Sequence, residues 1–163
     1  MIVKENLLSG YDGTHLLEAR NEGKPSDNFN FLQIILPNNL EEGKNYTISF
    51  EARQHYGSGK FTIMPSDISS YATTGKVNME VKDKRIYVEF VYRIGLSQRL
   101  LIYADIAGET RGVEATFSNF HLFKGHLGEE AKSVVYIPNE KDVKPENQAI
   151  FPIGGGYQDI YPL

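Results

Sequence analysis

Three stretches place charged and aromatic side chains at a spacing of two residues. In "NYTISFEARQHYGSG", Asn45 to Gly59, Glu51, Arg53 and His55 alternate with apolar positions, and Tyr56 follows before a Gly-Ser-Gly turn. In Arg85–Ile94 the alternation yields Tyr87, Glu89 and Arg93, and in Gln98–Ile106 it yields Tyr103 and Asp105. These side chains suit a sugar, which offers adjacent hydroxyls and an apolar C–H face. Carboxylate and guanidinium groups match paired hydroxyls with two prongs, and an aromatic plate covers the C–H face. If the three strands share a sheet, the nine residues form one carbohydrate-binding patch. The alternative is that Glu51–Arg53 and Glu89–Arg93 are ion pairs on a solvated face, which contribute little. A rival site would use strand-end loops with Tyr11, Tyr56 and Tyr71 as plates.

Other chemistries find little support. "GSGK" at Gly57–Lys60 has the wrong spacing for a phosphate loop, and Phe61 stands where Ser or Thr would hold magnesium. The four histidines, His15, His55, His121 and His126, lack the spacing of a zinc site. No Gly-x-Ser-x-Gly elbow occurs, and no two carboxylates stand out as a hydrolytic pair. "NYT" at Asn45–Thr47 matches a glycosylation acceptor, a match common by chance. The expectation is a non-catalytic protein without a cofactor. A structural calcium ion assembled from loops would draw on Asp12, Glu18, Asp27 and Asn28.

The elements that position these residues follow from period-two alternation, which dominates the chain. Candidate strands are Ile2–Leu8, His15–Ala19, Phe29–Leu36, Asn45–His55, Lys60–Met64, Val77–Val81, Arg85–Ile94, Gln98–Ile106 and Val113–Phe123. Turn signals such as "NEGKPSDN", "PNNLEEGK" and "AGETRG" separate them. Strands at this spacing predict an all-β fold, an antiparallel β-sandwich of jelly-roll type with about nine strands. Tyr46, Ile48, Phe50 and Ala52 form the core face of their strand. In the last strand Val113, Ala115 and Phe117 point inward, and then Phe120 and Leu122 do, so a bulge is expected at Ser118–Asn119.

The 163 residues fit one domain with a core of its own. A net charge of -4 offers no general attraction to nucleic acid or anionic membrane. No apolar run is long enough to cross a membrane as a helix, and the opening "MIVKENLLSG" lacks the apolar core of a signal peptide. There are no cysteines, which excludes disulfides and thiol nucleophiles, and no tryptophan, so any aromatic plate is tyrosine or phenylalanine. After Gly125 the periodicity stops. Residues 126–163 combine prolines, a triple glycine and scattered apolar residues such as Val134, Tyr136, Ile137 and Phe151. That content is high for disorder. It predicts a C-terminal extension that wraps the 1–125 sandwich or docks on another chain.

"NLLSGYDG", "GKNYTISFEAR" and "ATFSNFHLFKG", in this order and spacing across residues 1–125, resemble the carbohydrate-binding-module-like jelly rolls of siphophage tail and baseplate proteins from Gram-positive hosts. The likeness extends to baseplate accessory proteins of lactococcal phages. It implies a nine-stranded sandwich in the virion, made in the host cytoplasm, that binds host cell-wall polysaccharide for adhesion and contacts other baseplate proteins, without catalysis. Phosphate-bearing polysaccharides are a ligand class that Arg53 and Arg93 would meet. Two other readings stand beside this one. One is a structural or assembly domain that binds no glycan, and the other is a jelly-roll glycosidase or lyase.

Overall fold

The computed structural model describes residues 1–18, 31–58, 60–67, 72–80, 82–103 and 111–143. Its strands are β1 (His15–Glu18), β2 (Phe31–Ile35), β3 (Asn45–Ser58), β4 (Lys60–Asp67), β5 (Ala72–Thr73), β6 (Val77–Glu80), β7 (Lys84–Val91), β8 (Arg99–Tyr103) and β9 (Arg111–Lys124). They form two antiparallel sheets, one in the order β1-β9-β3-β7 and one in the order β2-β8-β4-β5 with β6 on β4. Successive long strands switch sheets, β3 to β4 and β7 to β8 to β9, the interleaving of a jelly roll. The chain is thus the β-sandwich its alternation predicts.

Alternation explains why the sheets stack. In β7, Ile86, Val88 and Phe90 are buried while Arg85, Tyr87, Glu89 and Val91 remain partly exposed. In β3, Tyr46, Ile48, Phe50 and Ala52 all face the core. Aromatic rings close the layer. Phe50 meets Phe117 and Phe120 at centroid distances of 5.8 and 5.1 Å, and Phe61 of the second sheet meets Phe117 at 5.7 Å. Such contacts between offset or edge-on rings add to the burial of large apolar area.

The bulge lies where the change of parity places it. Ser49 pairs with His121, but Glu51 pairs with Ser118, so β9 spends one more residue than β3 over this step. Asn119 takes the left-handed conformation, with φ 52°, which Asn tolerates better than most residues. Beyond it Phe120 and Leu122 return to the core.

Three details differ from the expectation. Residues 2–8 make no strand; only Ile2 bridges, to Val134. Asn6 does the joining instead. Its Nδ2 donates to the carbonyls of Phe120 and Ile137, and its Oδ1 accepts from the amides of Leu8 and Leu122. A buried amide that meets four backbone partners needs no ladder. Second, β5 is a short strand that the pattern does not reveal. Third, the outer face of β8 is not solvated: Leu101 and Tyr103 are buried with Met64 in a cluster of their own.

Residues 126–143 lie against the sandwich. The 3-10 turn Gly128–Ser133 brings Ala131 and Val134 onto Phe123, with Ile2, Tyr87 and Leu127 around them. A second 3-10 turn, Glu140–Asp142, holds the Gly10 amide through the Asp142 carboxylate. This segment covers the outer face of β3, β7 and β9 near the start of β3.

Candidate functional site

The outer face of the first sheet divides in two. In the covered half, outward-pointing Thr47 and Ser49 are buried, and so is His121. Each has a partner: Thr47 Oγ1 donates to the Gly125 carbonyl at 2.7 Å, Ser49 Oγ accepts from Arg85, and His121 Nε2 bonds the Lys4 carbonyl at 2.9 Å. Burial pushes the His121 imidazole down to about 4, so it is neutral near pH 7. The Lys4 carbonyl opposes that fall, and Arg85 adds to it.

The open half is a groove of about 520 Å³. Strand register arranges its floor in two rows. Ser118 of β9, Glu51 of β3 and Arg85 of β7 stand side by side. One step along, Thr116 of β9 faces Arg53 of β3, and Asp83 pairs with Arg53 at 4.0 Å. Neighbouring strands are ~4.8 Å apart and same-face residues ~7 Å apart along a strand. The rows therefore present hydroxyl, carboxylate and guanidinium groups side by side on one face. His55 closes one end and bonds Thr116 Oγ1; Thr14 and Lys84 complete the rim.

The bulge orients the first row. Asn119 Nδ2 donates to Glu51 Oε2 at 2.9 Å, and the Asn119 carbonyl accepts from Arg85 Nη2 at 2.7 Å. Arg85 also reaches Ser49 Oγ at 3.0 Å and stands 3.9 Å from Glu51 Oε1. Its side chain is 16 % exposed, and burial pushes the guanidinium below its ordinary range, opposed by Tyr87, Glu51 and Tyr136. Arginine stays charged even so. Glu51 and Arg85 thus enter the groove pre-oriented by a backbone feature.

Of the sequence-derived residues, Glu51, Arg53 and His55 come together in this groove. The others do not join them. Tyr87 packs beneath the extension beside Phe123. Glu89 accepts from the Gly128 amide at 2.8 Å and faces His126 at 3.7 Å, so it pins the extension. Arg93 follows β7 and pairs with Glu42 at 3.5 Å. Tyr103 belongs to the other sheet and is buried, which corrects the expectation of one patch over three strands. The cause is the jelly-roll crossover: consecutive β7 and β8 sit in different layers. Tyr56 pairs with Glu114 in β3, its side chain outside the described residues, as are Asp105 and Tyr71. Tyr11 of the rival loop site packs against His15 and Phe120, and its hydroxyl accepts from the Ile35 amide at 3.0 Å.

Arg85, Asp83, Thr116 and Ser118 are groove residues that the sequence reading passes over. The signal for three of them exists. Arg85 shares the parity of Tyr87 and Glu89, and Thr116 flanks inward-facing Ala115 and Phe117, as Ser118 flanks Phe117. Among the described residues no cluster of three His, Asp or Glu side chains could hold a metal ion. Of the calcium candidates, Asp12 alone has a described side chain; Glu18's is not described, and Asp27 and Asn28 lie outside the described residues.

No family model matches the chain, and no curated protein matches it. Solved structures similar to it include a CBM4 structure, at 15% identity and TM-score 0.48, covering 72% of this chain and 77% of that one. Another is the tripod (BppUct-A-L) from the baseplate of bacteriophage Tuc2009, at 13% identity and TM-score 0.48, covering 86% of this chain and 60% of that one. A third is the CBM22-1–GH10 portion of the Clostridium thermocellum xylanase Xyn10B complexed with xylohexaose, at 15% identity and TM-score 0.33, covering 85% and 30%.

Proposed function

We propose that the chain is a non-catalytic saccharide-binding domain of a phage tail or baseplate, which holds host cell-surface polysaccharide in the groove over β9, β3 and β7. The observation that carries this reading is the two-row floor, Ser118–Glu51–Arg85 and Thr116–Arg53–Asp83, which the described residues leave open where they cover the rest of the same face. Bidentate groups at sheet spacing suit paired ring hydroxyls. The placement in a phage tail rests on the resemblance of the three motifs within residues 1–125. Arg53 of the floor and Lys84 of the rim stand exposed, suited to a negatively charged substituent on the glycan.

The test is calorimetric titration with cell-wall polysaccharide extracted from Gram-positive bacteria. Arg53→Ala should weaken binding about tenfold, the loss expected for one charge-assisted contact. Arg93→Ala, distant from the groove and paired with Glu42, should bind as the parent does. Absence of binding by the parent, or equal affinity of the parent and Arg53→Ala, would sink the reading. Prolonged incubation should release no fragments from the polysaccharide.

A further inference from the structure

The described floor of the groove holds no phenyl, phenol or indole ring, only the His55 imidazole. A saccharide site built from charges alone leaves the C–H face of the sugar against water. The extension supplies what is missing. Tyr136 stands with its ring centroid 5.3 Å from Arg85 Cζ and meets His121 edge-on at 6.0 Å. Its ring is half-buried, so part of it remains open to solvent. Burial pushes the Tyr136 hydroxyl up from its ordinary range, with Asp12 adding to the rise and Arg85 opposing it. Tyr136 therefore adjoins a floor residue, Arg85, at the line where the covered half of the sheet face ends.

We infer that Tyr136 is a saccharide-contacting residue: the C-terminal extension folds back to give the groove its aromatic wall. The assignment rests on the saccharide reading of the groove and deepens it by naming the residue that meets the apolar face of the sugar. Two contacts hold the ring in place without using its whole surface. The Arg85 guanidinium covers part of the ring by a cation–π contact, and His121 supports its edge. A ring fixed in this way loses little freedom on binding, which favours affinity. The extension thus has two roles. It covers the upper half of the sheet face, and its residue 136 completes the lower half.

The test compares Tyr136→Ala, Tyr136→Phe and Leu127→Ala in the full chain, by calorimetric titration with extracted cell-wall polysaccharide and by thermal unfolding. Leu127 belongs to the extension and packs it onto Phe123, and it does not line the groove, so its truncation loosens the segment without touching the site. The expected result is about a tenfold loss of affinity for Tyr136→Ala, near-parental affinity for Tyr136→Phe, and near-parental affinity for Leu127→Ala despite a lower melting temperature. Parental affinity in Tyr136→Ala while Arg53→Ala is impaired overturns this inference and leaves the groove reading standing. Equal losses in Tyr136→Ala and Leu127→Ala overturn it too, because the effect is then one of loosened structure. A parent chain that binds no polysaccharide removes the groove reading, and this inference falls with it.

Discussion

Asn119 gives the sharpest test of how the fold positions the groove. Its φ of 52° lies in the left-handed region, and it carries both links between the bulge and the first row of the floor. The perturbation is Asn119→Ala set against Asn119→Gly. Both lose the amide bond to Glu51, whose side chain is 55 % exposed, so that bond contributes only about 0.5 kcal/mol. Alanine adds left-handed strain of about 1 kcal/mol. Glycine adds no strain but loosens the unfolded chain, at about 0.5 kcal/mol. The sums are about 1.5 kcal/mol for alanine and about 1 kcal/mol for glycine. At an ordinary strand position the order is the reverse, with glycine worse than alanine by about 0.5–1 kcal/mol.

The inversion of order is the signature. Urea unfolding followed by far-UV circular dichroism measures it, because the chain has no tryptophan to report by fluorescence. With a slope of about 2 kcal/mol/M, the glycine variant should unfold at a midpoint about 0.2–0.3 M above the alanine variant. A glycine midpoint at or below that of alanine would refute the claim that the bulge conformation, rather than the amide contact, sets the cost.

The remaining predictions concern the supports of the face. His121 is held neutral in the fold, with its imidazole lowered from 6.5 to about 4. The unfolded chain takes up the proton first, so stability is intact above pH 6.5 and falls as pH drops toward 4, by about 3 kcal/mol from this group; His121→Gln should show a shallower decline between pH 7 and pH 4.5. Asn6→Ala should cost on the order of 4 kcal/mol and raise amide exchange at Leu8 and Leu122, because it strips four buried backbone groups of a partner. Gly75→Ala should destabilise by about 1–3 kcal/mol in thermal or urea unfolding, since a Cβ there would collide with the Glu89 carbonyl oxygen and come within 2.8 Å of Phe90 Cβ.

How far the sequence reveals this molecule depends on which force sets each feature. Core faces were legible because burial imposes a period of two, and Tyr46, Ile48, Phe50 and Ala52 obey it without exception. The bulge was legible for the same reason, since one inserted residue between Phe117 and Phe120 flips the parity. Strand adjacency was not. Nothing in the alternation of β7 and β8 tells whether the chain turns within a sheet or crosses to the other layer, and so the sequence leaves open whether Tyr103 stands beside Arg53. Residues 2–8 misled because Asn6 replaces a ladder with four side-chain bonds, and side-chain pairing leaves no period. Asn6, within "NLLSGYDG", is the joint between the opening segment, β9 and the extension.

The outer face of the first sheet shows why a site of this kind escapes pattern reading. Thr47, Ser49, Glu51, Arg53 and His55 form one polar row in β3, and the pattern treats them alike. The structure separates them by what lies above. Over Thr47 and Ser49 the extension excludes water, and the hydroxyls there turn to Gly125 and to Arg85, as buried polar groups must. Over Glu51, Arg53 and His55 no described segment lies; Arg53 is tied only loosely, to Asp83 at 4.0 Å, while Glu51 accepts from Asn119 Nδ2 at 2.9 Å and keeps its other oxygen 3.9 Å from Arg85. An exposed pair such as Arg53–Asp83 gains little at that separation, so it gives up little when a ligand takes one partner. Side chains already committed to backbone carbonyls would have to surrender a bond to make one. The boundary of the groove is therefore energetic as well as geometric, and it runs through Arg85, which lines the groove while its Nη2 belongs to Ser49 and Asn119 and its guanidinium lies over the Tyr136 ring.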